Sequence, residues 1–136
     1  QATAVLAIQT PGRDLLEITD DVCEWVDESG ITLGILTLFC QHTSASLCIN
    51  ENAAPAVRRD LLRWLDRIAP ENAAYEHDDE GADDMPAHIK AMLTGNSLVI
   101  PVADGRPMLG TWQGIYLAEH RARPHRRSVA MHLAGE

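Results

Sequence analysis

Ile31-Thr32-Leu33-Gly34-Ile35-Leu36-Thr37-Leu38-Phe39-Cys40 is an uncharged run, rich in β-branched residues, and too short and too apolar for a surface helix. It predicts a central strand buried on both faces. Upstream, Thr3 to Gln9 alternates Ala4, Leu6 and Ile8 against Thr3, Val5 and Ala7, a strand pattern that ends at Pro11-Gly12. Leu15 to Ile18 predicts a second short strand. Asp20 and Asp21 then stand where a helix takes its N-cap, and Val22, Trp25 and Val26 follow at helical spacing until Gly30.

Downstream of the central run, Ser46 to Ile49 predicts another strand after a polar bend. Pro55 opens a helix whose Val57, Leu61, Trp64, Leu65 and Ile68 form one apolar face, with Pro70 as its stop. Glu71 to Asp83 has no period and predicts a long loop, a length that is uncommon unless the loop has a role. Asp84 is placed to cap a short helix with Pro86 in its first turn, ending at Gly95. Strands follow at Ser97 to Val102, Gly114 to Glu119 and Ser128 to Leu133, with a turn at Asp104-Gly105. Strands and helices do not alternate regularly enough for a doubly wound sheet, so the fold class is α+β. With no repeat, linker or low-complexity segment, residues 1–136 are expected to form a single domain.

The 46% hydrophobic content supports one core, but one Phe, two Tyr and three Trp leave aliphatic side chains to fill it. A formal charge of −9 repels phosphate backbones and argues against nucleic-acid binding. Acidic residues crowd Glu76 to Asp84, and Arg121, Arg123, Arg126 and Arg127 cluster later; solvated surface is the plain reading of both runs. Cys23, Cys40 and Cys48 lack paired spacing and read as small buried thiols of a reduced, cytoplasmic protein. Neither a signal segment nor an apolar stretch of bilayer length appears, so no membrane association is expected.

Chemistry concentrates around three of the six histidines. His42 follows the apolar run, His77 lies in the acidic loop and His88 in the short helix. Three imidazoles, or two with a carboxylate, suit a zinc-type ion and leave a position open for water or substrate. The acids Asp78, Asp79 and Glu80 are able to orient the imidazoles, and Asp78, Glu80 and Asp84 are able to supply hard oxygen ligands to Mg²⁺. Each histidine alone also fits a structural role.

Ser44 and Ser46, close to His42, have the chemistry of a nucleophile but no Gly-x-Ser-x-Gly elbow; Thr43 and Ser44 fit better as donors to an anion. Gly110-Thr111-Trp112-Gln113-Gly114 offers either a ligand platform, with Trp112 as a flat face and Gln113 as an amide, or a β-bulge around a core tryptophan. Glu119, at a strand end, suits an acid–base group, a metal ligand or an ion pair with a nearby arginine. Arg123, Arg126 and Arg127 are able to supply the positive charge an anionic substrate requires, and one of the arginines or Lys90 would hold phosphate.

Three blocks of this sequence resemble the YjbQ-like family. They are Gln41-His42-Thr43-Ser44-Ala45-Ser46-Leu47 running on to Ile49-Asn50-Glu51-Asn52; His77 through Glu80-Gly81 to Asp84-Met85-Pro86-Ala87-His88-Ile89-Lys90; and Leu109-Gly110-Thr111-Trp112-Gln113-Gly114-Ile115 followed by Glu119-His120-Arg121. The resemblance implies an α+β domain with a β-sandwich-like core and flanking helices, assembled as a homotrimer with its site near subunit boundaries. It also implies metal or anion binding through His42, His77 and His88, and a thiamine-phosphate synthase activity joining a pyrimidine pyrophosphate to a thiazole phosphate. The catalytic candidates are then Glu119, Ser44 and Gln113, and the ligand-binding candidates Thr43, Ser44, Asn50, Lys90, Thr111, Trp112 and Arg126. The expected cofactor is a divalent ion, zinc or magnesium, and the expected ligand a small phosphorylated or anionic molecule.

Overall fold

The computed structural model describes residues 1–136. In chain order the elements are β1 (Ala2–Gln9), β2 (Asp14–Glu17), α1 (Thr19–Glu28), β3 (Gly34–Cys40), β4 (Ala45–Glu51), α2 (Pro55–Ile68), α3 (Asp84–Thr94), β5 (Ser97–Ala103), β6 (Arg106–Pro107), β7 (Gln113–Glu119) and β8 (Arg126–Gly135). They make an α+β fold with two antiparallel sheets, one ordered β1-β8-β3-β5-β6 and the other β2-β7-β4. None of the helices is long and apolar enough to cross a membrane.

Strand alternation builds the core. Leu36, Leu38 and Cys40 of β3 point inward beside Val129, Met131 and Leu133 of β8 and Ile100 and Val102 of β5, and they meet Ala45 and Leu47 of β4 and Ile115 and Leu117 of β7. Val22 and Val26 of α1 close the same cluster, whose 17 buried residues include no aromatic ring, as the composition predicts. The outer face of the three-stranded sheet carries Leu15, Tyr116 and Ala118, which pack with Cys48 and with Leu61 and Leu62 of α2.

Several expectations are corrected by this layering. β3 starts at Gly34, not Ile31, and is not buried on both faces: Ile35 and Phe39 lie exposed on the outer side. The doubly covered strand is β7, which runs between the core on one side and α2 on the other. On α2 only Leu65 is fully buried, while Trp64 and Ile68 are exposed, because the sheet beneath offers that helix a narrow apolar strip.

The helix starts also differ. α1 is capped by Ile18 without a side-chain bond, and Asp20 and Asp21 fall inside its first turn, where their charge favours the positive end of the helix dipole. α3 follows Asp83, so Asp84 is a first-turn residue and not a cap. At Asp104-Gly105 both residues have positive φ, 52° and 72°, the geometry of a two-residue hairpin turn between β5 and β6. Gly34 and Gly135 pair across β3 and β8; a Cβ on Gly34 would strike the Ala134 carbonyl and one on Gly135 the Leu33 carbonyl.

Candidate functional site

One end of the molecule collects the bend after β3, the 71–83 loop, the start of α3 and the end of β7. Asp84 is its hub. Its carboxylate is only 4% exposed, and Oδ2 lies 2.9 Å from His77 Nε2 and 3.1 Å from His88 Nε2. Oδ1 accepts a bond from Arg121 Nη1 at 2.9 Å. The same guanidinium donates through Nε to Asp83 Oδ2 at 2.8 Å and through Nη2 to the Glu80 carbonyl at 3.0 Å, fastening the loop to the end of β7.

The spacing explains the pairing. Asp84 and His88 are four residues apart on α3 and therefore neighbours on one helix face. His88 Nδ1 donates to the Thr43 carbonyl at 3.0 Å, since a carbonyl offers no proton. Its Nε2, if the ring is neutral, is then a lone pair facing a carboxylate oxygen. Two acceptors in contact are satisfied only when a proton or a cation stands between them.

His77 faces the same oxygen through Nε2, and its Nδ1 lies 3.4 Å from Asp79. The Asp84 contact raises the His77 pKa above the usual value, with burial opposing and the charges of Asp79, Asp84 and Glu80 adding to the rise. The ligand atoms of His77, Asp84 and His88 all lie within 4.8 Å of one another. A tetrahedral zinc-type ion with bonds of about 2.0–2.2 Å holds its ligand atoms roughly 3.3–3.5 Å apart, so each histidine would move a few tenths of an ångström away from the Asp84 oxygen to admit one.

Of the expected histidine trio, the structure thus brings together His77 and His88, with Asp84 in place of His42. His42 Nε2 accepts the Ser128 backbone N–H at 2.8 Å. It shares a cleft of about 390 Å³ with Thr43, Ala45, His88, Met92 and Asn96. Burial of the ring, helped by the charge of Arg127, lowers its pKa.

Glu119 is fully buried. Oε1 accepts from Thr10 Oγ1 (2.7 Å) and Arg127 Nε (2.8 Å), and Oε2 from Arg127 Nη2 and the Arg121 N–H. All four acceptor positions of the carboxylate are used. Burial pushes this carboxyl up, and the Arg127 and Thr10 bonds outweigh it, so the group stays below the ordinary glutamate range. Of the roles open to Glu119, this is the ion pair with an arginine, and it is internal. Arg127, expected on the surface, is buried and also donates to Ser44 Oγ at 3.0 Å. The Ser44 hydroxyl touches no histidine ring; its partner is Arg127, and only the Ser44 carbonyl meets a histidine, accepting the His120 backbone N–H at 3.3 Å.

A serine–histidine contact does occur elsewhere. Ser46 Oγ lies 2.8 Å from His120 Nε2 and bonds Thr94 Oγ1, which in turn donates to the Lys90 carbonyl at 2.8 Å. Because the Thr94 proton is committed, Ser46 donates to Thr94 and accepts from His120. The chain of donors runs away from His120, which therefore cannot take the Ser46 proton.

Lys90 is buried, with Nζ 2.6 Å from Asp66 of α2. Arg126 is exposed at the start of β8. Asn50, Thr111, Trp112 and Gln113 lie at the far end of the three-stranded sheet: Asn50 pairs with Gly114, whereas Ala45 pairs with Glu119, a separation of about 17 Å along β7. Trp112 is 64% exposed, so it is no core tryptophan, and Gln113 Oε1 accepts the Gly110 N–H to shape the turn. Within one chain these four residues and the histidines form separate places. Asp84 is legible in the sequence as an oxygen ligand, and the Asp84-x-x-x-His88 spacing sets it beside His88, whereas nothing local joins it to Arg121, 37 residues on.

Fold and cluster together define a small two-sheet α+β protein carrying a paired-histidine and carboxylate cluster at one end of its sheets. The profile of the UPF0047 protein YjbQ-like family matches residues 4–136. A UPF0047 protein of Synechocystis sp. is 47% identical, covering 100% of this chain and 93% of its own, and UPF0047 protein YjbQ of Escherichia coli O157:H7 is 47% identical, covering 100% and 98%. Among solved structures, a YjbQ/UPF0047 family protein of Clostridium acetobutylicum superposes with TM-score 0.89 at 40% identity over 96% of this chain and 99% of that one. A hypothetical protein of Aeropyrum pernix K1 gives 0.90 at 31% over 100% of both. The chain belongs to the YjbQ-like UPF0047 family.

Proposed function

We propose that His77, Asp84 and His88 hold a divalent metal ion, and that the protein uses it on a small phosphorylated or anionic metabolite. The observation that carries this reading is His88, whose two ring nitrogens both face oxygen acceptors. Two imidazoles with one carboxylate favour a zinc-type ion over Mg²⁺, which prefers oxygen and water. Bound there, such an ion would leave a position open for water or a substrate oxygen and supply Lewis acidity. Thr43 orients His88 through its carbonyl, and Arg121 holds Asp84 so that one oxygen turns toward both imidazoles.

Metal-assisted transfer or hydrolysis at a phosphorylated substrate is the reaction class this supports best. Thiamine-phosphate synthesis is the particular activity proposed within it. The protein is further proposed to be cytoplasmic, supported by the free thiols of Cys23, Cys40 and Cys48, and to form a homotrimer, supported by the exposed Val5, Ile35, Phe39 and Val99 on the outer sheet face. A second copy is what would bring Asn50, Thr111, Trp112 and Gln113 to a histidine cluster.

Metal analysis of untagged protein, followed by zinc titration, tests the proposal. We expect one ion per chain, with affinity reduced at least a hundredfold in His88→Ala and Asp84→Asn. Equal zinc affinity in all three proteins would sink the metal reading. Assay of the two thiamine precursors with zinc or magnesium separately tests the particular activity, and no turnover with either would remove it.

A further inference from the structure

We infer that His42 is not a metal ligand but a neutral hydrogen-bond donor, which with Thr43 and Asn96 binds an oxyanion in the cleft beside His88. The inference deepens the proposed function and rests on it for the identity of the neighbouring ion. Its own basis is the tautomer. Ser128 N–H donates to His42 Nε2 at 2.8 Å, so Nε2 must be the unprotonated nitrogen. In a neutral ring the proton is then on Nδ1. Metal coordination through Nδ1 would strip both nitrogens of protons, and coordination through Nε2 would displace Ser128.

The cleft matches a donor. His42 Nδ1 has no hydrogen-bond partner within the chain and is open to solvent, and the His42 side chain lines the cleft. Thr43 and Asn96 are exposed, and neither side chain makes a hydrogen bond within the chain. None of the eight lining residues is a carboxylate or a lysine or arginine. The cleft on the other flank of the cluster is instead lined by Glu76, Asp78 and Asp79 and would repel an anion. A phosphate or carboxylate group is therefore held from the His42 side, by neutral donors, with His88 at the border. The lowered pKa of His42 agrees with a ring that stays neutral.

Histidine-selective ¹⁵N NMR of the wild-type protein near pH 7.5 reads the tautomer directly. We expect His42 with protonated Nδ1 and bare Nε2, unchanged when zinc is added. An Nε2–H tautomer, or a His42 resonance shifted as a direct zinc ligand, overturns the inference. Zinc and inorganic phosphate titrations then compare wild type with His42→Met and His42→Gln. We expect zinc affinity to change less than about threefold in both. Phosphate affinity should fall about tenfold in His42→Met, the scale of one lost bond to a charged group, and recover in His42→Gln, whose amide both accepts and donates. Unchanged phosphate affinity in His42→Met overturns the inference. If the wild type takes up no zinc, the metal reading fails, and the tautomer and the phosphate comparison still decide His42.

Discussion

At the scale of single residues, buried polar groups in this chain are decided by donor and acceptor counts. Glu119 reads in sequence as a strand-end acid, an edge ion pair or a ligand, and nothing in its neighbours ranks these. The four acceptor positions filled by Thr10, Arg121 and Arg127 come from segments up to 109 residues away, and no local pattern encodes them. His120 is similar: Ser46 lies 74 positions upstream. It also sets a pH response. Burial lowers the His120 pKa from 6.5 to about 4, with the Lys90 charge adding to the effect.

Between those values the unfolded chain binds a proton that the folded one does not. The contribution to stability is complete above about pH 6.5 and is lost as pH falls toward 4, with a slope of at most about 1.4 kcal/mol per pH unit. Urea unfolding at pH 7 and pH 5 should show this loss in the wild type and a smaller one in His120→Asn. Equal losses in both would refute the assignment.

Among the elements, all three helices and most strands were legible, because alternation in β1 and the apolar face and Pro55 of α2 are local signals. The burial of each face was not. β3 has the more continuous apolar run, yet its outer face is open within one chain, whereas β7 is covered twice because α2 returns over it from elsewhere in the sequence. The helix layer is joined by a buried ammonium: Lys90 of α3 is 2% exposed at its side chain and is paired with Asp66 of α2.

Removing one partner of such a pair costs more than replacing both, since it strands a charge. Asp66→Ala should lower unfolding stability by about 1–3 kcal/mol, less than a fully buried pair because Asp66 is half exposed, and Lys90→Met added to it should restore most of the loss. Denaturant curves of the single and double variants test this. An undiminished loss in the double variant would show that α2 and α3 are held by something other than the pair.

For the whole molecule, antiparallel register lines up apolar residues on the outer face of the larger sheet. Val5 and Phe39 both stand opposite Ala130, and Val99 stands opposite Thr37. These exposed apolar side chains make this face the contact surface of the proposed homotrimer. If the proposed homotrimer forms through this face, Phe39→Asp should shift sedimentation from trimer to monomer while leaving the circular dichroism of the chain unchanged. A wild-type protein that sediments as a monomer at micromolar concentration would rule out the homotrimer.

The 71–83 segment has no helix or strand, yet a single guanidinium grips it at Glu80 and Asp83 and at the adjoining Asp84. Its resistance to a protease therefore depends on a few side-chain ties, of which Arg121 makes the most, beside Arg13 to Glu71, His77 to Asp84 and the Ala122 N–H to Asp83. Arg121→Met should be nicked in this segment by a protease at concentrations that leave the wild type intact, while both fragments stay associated through the unbroken core.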